Sequence, residues 1–196
     1  MVRTAMGLPR GHHRYTYADY VALELESTTR HEFLDGEIYA MAGGSEDHSA
    51  LSAQVQRALG NAIDDRPCRV HTSDLRVYIE AVGLATFPDG SVICGGFQHH
   101  EPSPRATALN PMVLVEVTSD SSENYDTGEK LESYRTIPSL HDVIIVSHRE
   151  RRITIHSRGD GGGWTARVAI AGGRVAVASL RVDLVVDEIY RGSSVR

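Results

Sequence analysis

The run Met112-Val113-Leu114-Val115-Glu116-Val117 sets one carboxylate inside a segment otherwise suited only to a protein interior. An unbroken apolar stretch of strand length reads as a central β-strand covered on both faces. Glu116 is then the anomaly. An ionised carboxylate in such a place is costly unless it meets a cation or a metal, so this strand predicts both a layered sheet and a site.

The remaining pattern places elements around that strand. Thr16 and Asp19 open a helix through Tyr20, Val21, Leu23 and Leu25, with a side-chain oxygen to cap free backbone donors. Asp35-Gly36 lies between His31–Leu34 and Glu37–Met41, and this dipeptide tolerates the positive φ angles of a two-residue hairpin turn. Leu51, Val55, Leu59 and Ile63 recur every fourth residue and predict a helix from Ser45 to Asp64. Arg69–Glu80 alternates and predicts one or two strands with a break near Thr72-Ser73-Asp74, followed by a strand at Ser91–Gly95. Leu131 and Tyr134 share a face of a helix over about Tyr125–Arg135, which Pro138 stops from extending. Val143–Val146 reads as another buried strand. Arg152–His156, Thr165–Ile170 and Val175–Val177 form a terminal antiparallel meander with a turn at Gly161-Gly162-Gly163. The expectation is a mixed α and β fold, with residues 1–14 as a flexible N-terminal segment and 15–196 as one domain.

Composition narrows the function classes. The 196 residues are 41% hydrophobic and carry a formal charge of −6, which argues against coating nucleic acid by general basicity. It leaves room for a metal-using enzyme, because clustered carboxylates themselves lower the total. Cys68 and Cys94 have no CxxC partner or ligand cluster, so no disulfide framework or zinc module is expected, and a reducing cytoplasm suits the chain. The opening segment shows no apolar signal core and no later run approaches ~18 apolar residues, so neither a signal peptide nor a membrane span is expected.

The chemistry points to Pro88-Asp89, Glu116 and Lys130. Two converging carboxylates would offer hard oxygen ligands suited to Mg²⁺ or Mn²⁺, and a lysine nearby would steady an attacking water or developing phosphate charge. Spacing alone favours a plainer reading, in which Asp89 shapes a turn, Glu116 meets a structural arginine and Lys130 is solvated.

The ordered motifs go further. Glu32-x-x-Asp35-Gly36-Glu37, a helix carrying His48, Pro88-Asp89, Leu114-Val115-Glu116-Val117-x-Ser119 and Asp126-x-Gly128-Glu129-Lys130-Leu131-x-x-Tyr134 together resemble the Uma-two family of restriction-endonuclease-like proteins, within the PD-(D/E)XK nuclease superfamily. The resemblance spans about Tyr15 to Tyr190. It implies a restriction-endonuclease-like mixed β-sheet flanked by helices (α/β, α+β) and Mg²⁺- or Mn²⁺-dependent cleavage of DNA. By position, Asp89 and Glu116 match the metal ligands, and Glu32 matches an acid that binds a second metal or its water. Thr118 stands where the motif's lysine belongs, and Lys130 on the next helix matches that lysine. DNA is the implied partner, with a homodimer where both strands are cut.

Other residues favour plainer roles. His12-His13 and His99-His100 lack metal-ligand spacing. His48 either faces the cleft or makes a structural hydrogen bond at its helix start. Tyr134 supports Lys130 from one turn away. Asp126 either pairs with Lys130 or favours its helix N-terminus, the latter being the plainer assignment. Ser119 and Ser121 suit capping, and the glycine run suits a turn. Two rival functions remain: a catalytically silent nuclease fold that binds nucleic acid or a protein, and a metal-free carboxylate-pair hydrolase of sugars.

Overall fold

The structure is a computed structural model that describes residues 14–101 and 106–196. The expected flexible segment therefore lies outside the described residues except for Arg14, whose guanidinium pairs with Asp35 at 3.0 Å; His12 and His13 also lie outside.

The elements run α1 (Tyr17–Glu26), β1 (His31–Leu34), β2 (Glu37–Ala40), α2 (Glu46–Ala62), β3 (Cys68–Thr72), β4 (Arg76–Ile79), β5 (Leu84–Thr86), β6 (Gly90–Cys94), β7 (Thr107–Ala108), β8 (Val113–Val117), α3 (Glu123–Thr127), α4 (Glu129–Arg135), β9 (Asp142–Val146), β10 (Arg152–Arg158), β11 (Trp164–Ile170), β12 (Arg174–Val177), β13 (Val182–Val185) and α5 (Val186–Ile189). The predicted caps and turns form for the reasons given. Thr16 and Asp19 make a reciprocal capping box at the start of α1. Asp35 and Gly36 take φ of 48° and 83°, as a tight hairpin between β1 and β2 requires.

Six strands make the main mixed sheet, in the order β11-β10-β9-β8-β6-β3. β8 runs parallel to β9 and antiparallel to β6, so the Val113–Val117 run is central, and all five of its residues are buried. One face packs Val113, Val115 and Val117 against Leu51, Val55 and Leu59 of α2 and against the C-terminal elements. Each of those α2 side chains is fully buried, worth about 1.5–3 kcal/mol apiece. The opposite face packs Leu114 with Leu131 and Tyr134 of α4 and with Val77 and Ile79 of a second, five-stranded sheet, β2-β1-β5-β4-β7. Glu116 belongs to this second face by alternation.

Three expectations need correction. The helix over 125–135 is two helices, because Gly128 (φ −113°, ψ −108°) breaks the chain between α3 and α4, with the Asn124 carbonyl oxygen only 2.6 Å from where a Cβ would stand. The C-terminal strands are antiparallel as expected, but the third leaves the sheet: β12 pairs with β13 as a separate ribbon. The two cysteines are not free thiols. Antiparallel pairing of β3 with β6 sets Cys68 opposite Cys94, and they form a disulfide. Their 26-residue separation carries no local motif, so only the strand register brings them together.

Candidate active site

The strand register creates the site. Gly90 of β6 pairs with Val115 of β8, so Asp89, one residue earlier, stands across from Glu116. The Val117 N–H donates to Asp89 Oδ2 at 2.8 Å, and His48 Nε2 lies 3.2 Å from the same oxygen. Oδ1 of Asp89 is left without a partner among the described residues. The backbone is gripped as well: Gln56 Nε2 donates to the Asp89 carbonyl at 2.7 Å, and Ser52 Oγ at 3.3 Å. His48, Ser52 and Gln56 recur every fourth residue and make a polar stripe along α2, beside its apolar one.

Gly44 is needed for this arrangement. A Cβ there would lie 2.5 Å from His48 Nδ1, so a larger residue would displace the imidazole from its place beside Asp89.

On the other side, α4 sets Lys130 into the pocket at 4% exposure. Its Nζ lies 3.0 Å from Glu116 Oε1, 3.1 Å from Glu32 Oε1 and 3.5 Å from Asp126 Oδ1. Glu32 comes from β1 and also accepts from the Thr86 hydroxyl. The Tyr134 hydroxyl donates to Glu116. Thr118, in the motif's lysine position, instead contacts His148 Nδ1 at 2.8 Å.

A cavity of about 540 Å³ opens over these groups. Five carboxylates line it, Glu32, Asp89, Glu116, Asp126 and Glu129, against Lys130 and His48. Burial and the charge imbalance together shift the ionisation of these groups. Burial pushes Glu116 from 4.5 up to about 8, with Asp126 and Asp89 adding to the rise against the pull of Lys130. Burial also raises Asp126. Burial opposes the Lys130 ammonium, but Glu116, Tyr134, Glu32 and Asp126 outweigh it and hold the lysine charged, well above its usual value. The hydrogen bond to Asp89 raises His48.

All four predicted residues, Glu32, Asp89, Glu116 and Lys130, therefore converge. Asp126 takes the less plain of its two readings: it is buried beside Lys130. Tyr134 anchors Glu116, and its ring lies under Lys130 at 5.9 Å. Sequence reasoning missed Ser52 and Gln56, whose signal was the four-residue spacing from His48. It also missed Tyr125, whose ring faces Lys130 at 5.7 Å.

Among the described residues no group of three or more His, Cys, Asp and Glu side chains is arranged to hold a metal alone. The donor set nevertheless fits a hard divalent cation. Mg²⁺ commonly takes one or two carboxylates and fills its shell with water and substrate phosphate. Asp89 and Glu116 supply two carboxylates at facing positions, and the pocket's excess of buried negative charge favours a cation.

A mixed sheet flanked by helices, with these acids at its centre, defines a nuclease-like α+β fold. The same fold occurs in the crystal structure of a putative nuclease belonging to DUF820 from Anabaena variabilis ATCC 29413, with a TM-score of 0.68 at 17% identity, covering 87% of this chain and 97% of that one. The family model Uma2, described as a putative restriction endonuclease, matches residues 17–186, and the chain belongs to that family. Two relatives come from Synechocystis sp. (strain ATCC 27184 / PCC 6803 / Kazusa). Uncharacterized protein slr1290 is 34% identical over 177 residues, 89% of this chain and 90% of the relative. Uncharacterized protein sll1609 is 34% identical over 131 residues, 67% and 73% of the two chains.

Proposed function

We propose that the chain is a metal-dependent endonuclease that hydrolyses DNA phosphodiester bonds, with residues 15–196 as one catalytic domain. The observation that carries this reading is the facing pair Asp89 and Glu116 with the Lys130 ammonium 3.0 Å from Glu116. Asp89 and Glu116 are the residues that would hold Mg²⁺ or Mn²⁺, which would supply Lewis-acid stabilisation of the phosphoryl oxygens.

The chain's own groups do the rest. His48 and the Val117 amide fix Asp89 Oδ2 and leave Oδ1 without a partner among the described residues. The Tyr134 hydroxyl orients Glu116. Lys130 shares its three N–H donors among Glu116, Glu32 and Asp126, and from that position its ammonium can donate to the attacking water or steady the charge developing on the phosphate. Glu32 and Asp126 keep Lys130 protonated and aimed. Cutting both strands of a duplex calls for two such sites, hence a pair of copies.

The test is cleavage of supercoiled plasmid DNA. The wild type nicks it with Mg²⁺ or Mn²⁺ and not in EDTA, and Asp89→Asn and Lys130→Met abolish nicking. Activity that survives either substitution overturns the assignment. Chelator-insensitive hydrolysis of a glycoside, with no nicking of DNA, would favour the sugar-hydrolase chemistry.

A further inference from the structure

The catalytic cavity is a poor anchor for a polyanion, since carboxylates outnumber cations there before any metal binds. Affinity for a nucleic acid has to be supplied elsewhere in a chain of net charge −6. A second cavity, of about 560 Å³, has the opposite character. It lies at the far end of β6, against the sheet-edge strand β3, and its described lining includes Arg66, Arg69, His71 and Phe97 but no carboxylate.

The geometry is that of a cationic rim beside an aromatic wall. Arg69 pairs with Ile93 and His71 with Ser91, so Arg69 and His71 project from the same face of β3. The Arg69 side chain is exposed and makes no ion pair among the described residues. Arg66 is held at the rim by donating through Nη1 to the Leu180 carbonyl. The His71 and Phe97 rings meet edge to face at 6.1 Å, and Phe97 lies 4.3 Å from the exposed His99 ring. Burial, helped by Arg69, lowers the pKa of His71, so near neutral pH that ring adds aromatic surface and not a third charge. Gly95, at φ 75°, turns the chain out of β6 towards Phe97, and its N–H is tied to the Pro67 carbonyl at 2.7 Å.

We propose that this β3-edge cavity binds a nucleotide unit of a single-stranded nucleic acid, its phosphate on Arg69 and Arg66 and its base against Phe97. Guanidinium and aromatic face together are the recurring elements of single-strand recognition. Arg69 lies level with Ile93, four residues along β6 from Asp89. That is about 13 Å at the rise of a strand, or roughly four nucleotides at the stacked rise of one DNA strand. The cavity thus grips the strand a short distance from the bond that the proposed active site cuts. The identity of the ligand rests on the nuclease reading, but the binding does not depend on catalysis. A free mononucleotide presents the same chemistry, and the experiment separates the two sources.

The experiment is fluorescence anisotropy of a labelled 12-mer oligothymidylate with the full chain in EDTA, where no cleavage occurs. The wild type should bind in a salt-sensitive manner. Arg69→Glu, on an exposed side chain, should weaken binding at least about tenfold. Phe97→Leu keeps apolar packing while removing the ring, and should weaken it roughly fivefold or more. Melting curves for both variants exclude unfolding as the cause. Displacement of the 12-mer by thymidine monophosphate at comparable concentration would overturn the strand and assign the cavity to a free nucleotide. Equal binding by wild type and Arg69→Glu overturns the site altogether, whether or not the wild type cuts DNA with Mn²⁺. Loss of metal-dependent cutting with the binding pattern intact would instead count against the active-site reading alone.

Discussion

Replacing Glu116 by glutamine should stabilise the metal-free protein while abolishing its cleavage of DNA. Three buried carboxylates, Glu32, Glu116 and Asp126, surround one ammonium, so neutralising Glu116 still leaves Lys130 two acidic partners. Glutamine keeps an oxygen for the Tyr134 hydroxyl. The sign follows from linkage. A carboxyl at 4.5 in the unfolded chain and about 8 in the folded one binds more proton when folded, so stability falls as pH rises between those values. At about 1.4 kcal/mol per pH unit the loss is at most roughly 5 kcal/mol, and water penetration leaves ~1–3 kcal/mol. For a chain of this length that is roughly 2–12 °C in Tm. Calorimetric melts in EDTA at pH 5 and pH 8.5 measure it. The wild type should lose stability towards pH 8.5 and regain it with Mg²⁺, while Glu116→Gln stays flatter and responds weakly to the metal. A variant less stable than wild type at pH 8.5 in EDTA would mean that Glu116 is needed to compensate Lys130, and that the pocket has no unmet demand for a cation.

Lys130→Met should act in the opposite direction, leaving the buried acids uncompensated and lowering stability by about 3 kcal/mol, more at alkaline pH; denaturant melts showing no loss would contradict the packing described. Gly44→Ala should push the His48 ring off Asp89 and weaken Mn²⁺ binding about 10- to 100-fold. Titration calorimetry should show His48→Ala and the double variant no weaker than Gly44→Ala, and an additive loss would separate the two residues. Reduction of the Cys68–Cys94 disulfide should cost about 3 kcal/mol for its loop length, roughly 6–12 °C in Tm, and Cys68→Ser should melt at the same temperature with or without reductant.

Much of this arrangement was legible in local chemistry. Thr16 with Asp19, Asp35-Gly36 and the Leu51-Val55-Leu59 stripe act within one turn or one hairpin, where side-chain type dictates backbone geometry. Glu116 was conspicuous for a related reason: a lone acid in an apolar strand has few tolerable surroundings. What escaped depends on register between distant segments. Nothing near Cys68 announces Cys94, and Asp126 could not be told from an ordinary helix-start acid until α4 docked on the sheet and buried it. Ser52 and Gln56 look like solvated positions on α2 until β6 brings the Asp89 carbonyl beneath them. The break at Gly128 was hidden because Leu131 and Tyr134 keep helical spacing within α4 alone. β12 has the alternation of a meander strand, and only its partner β13 shows that it has left the sheet.

The account turns on a cation held between Asp89 and Glu116. Anomalous diffraction from crystals soaked in Mn²⁺ tests this most directly. A peak within coordinating distance of both carboxylates, absent from Asp89→Asn crystals, is the predicted result; a soaked wild-type crystal with no peak there, while Lys130 still bridges Glu32, Glu116 and Asp126, would contradict it.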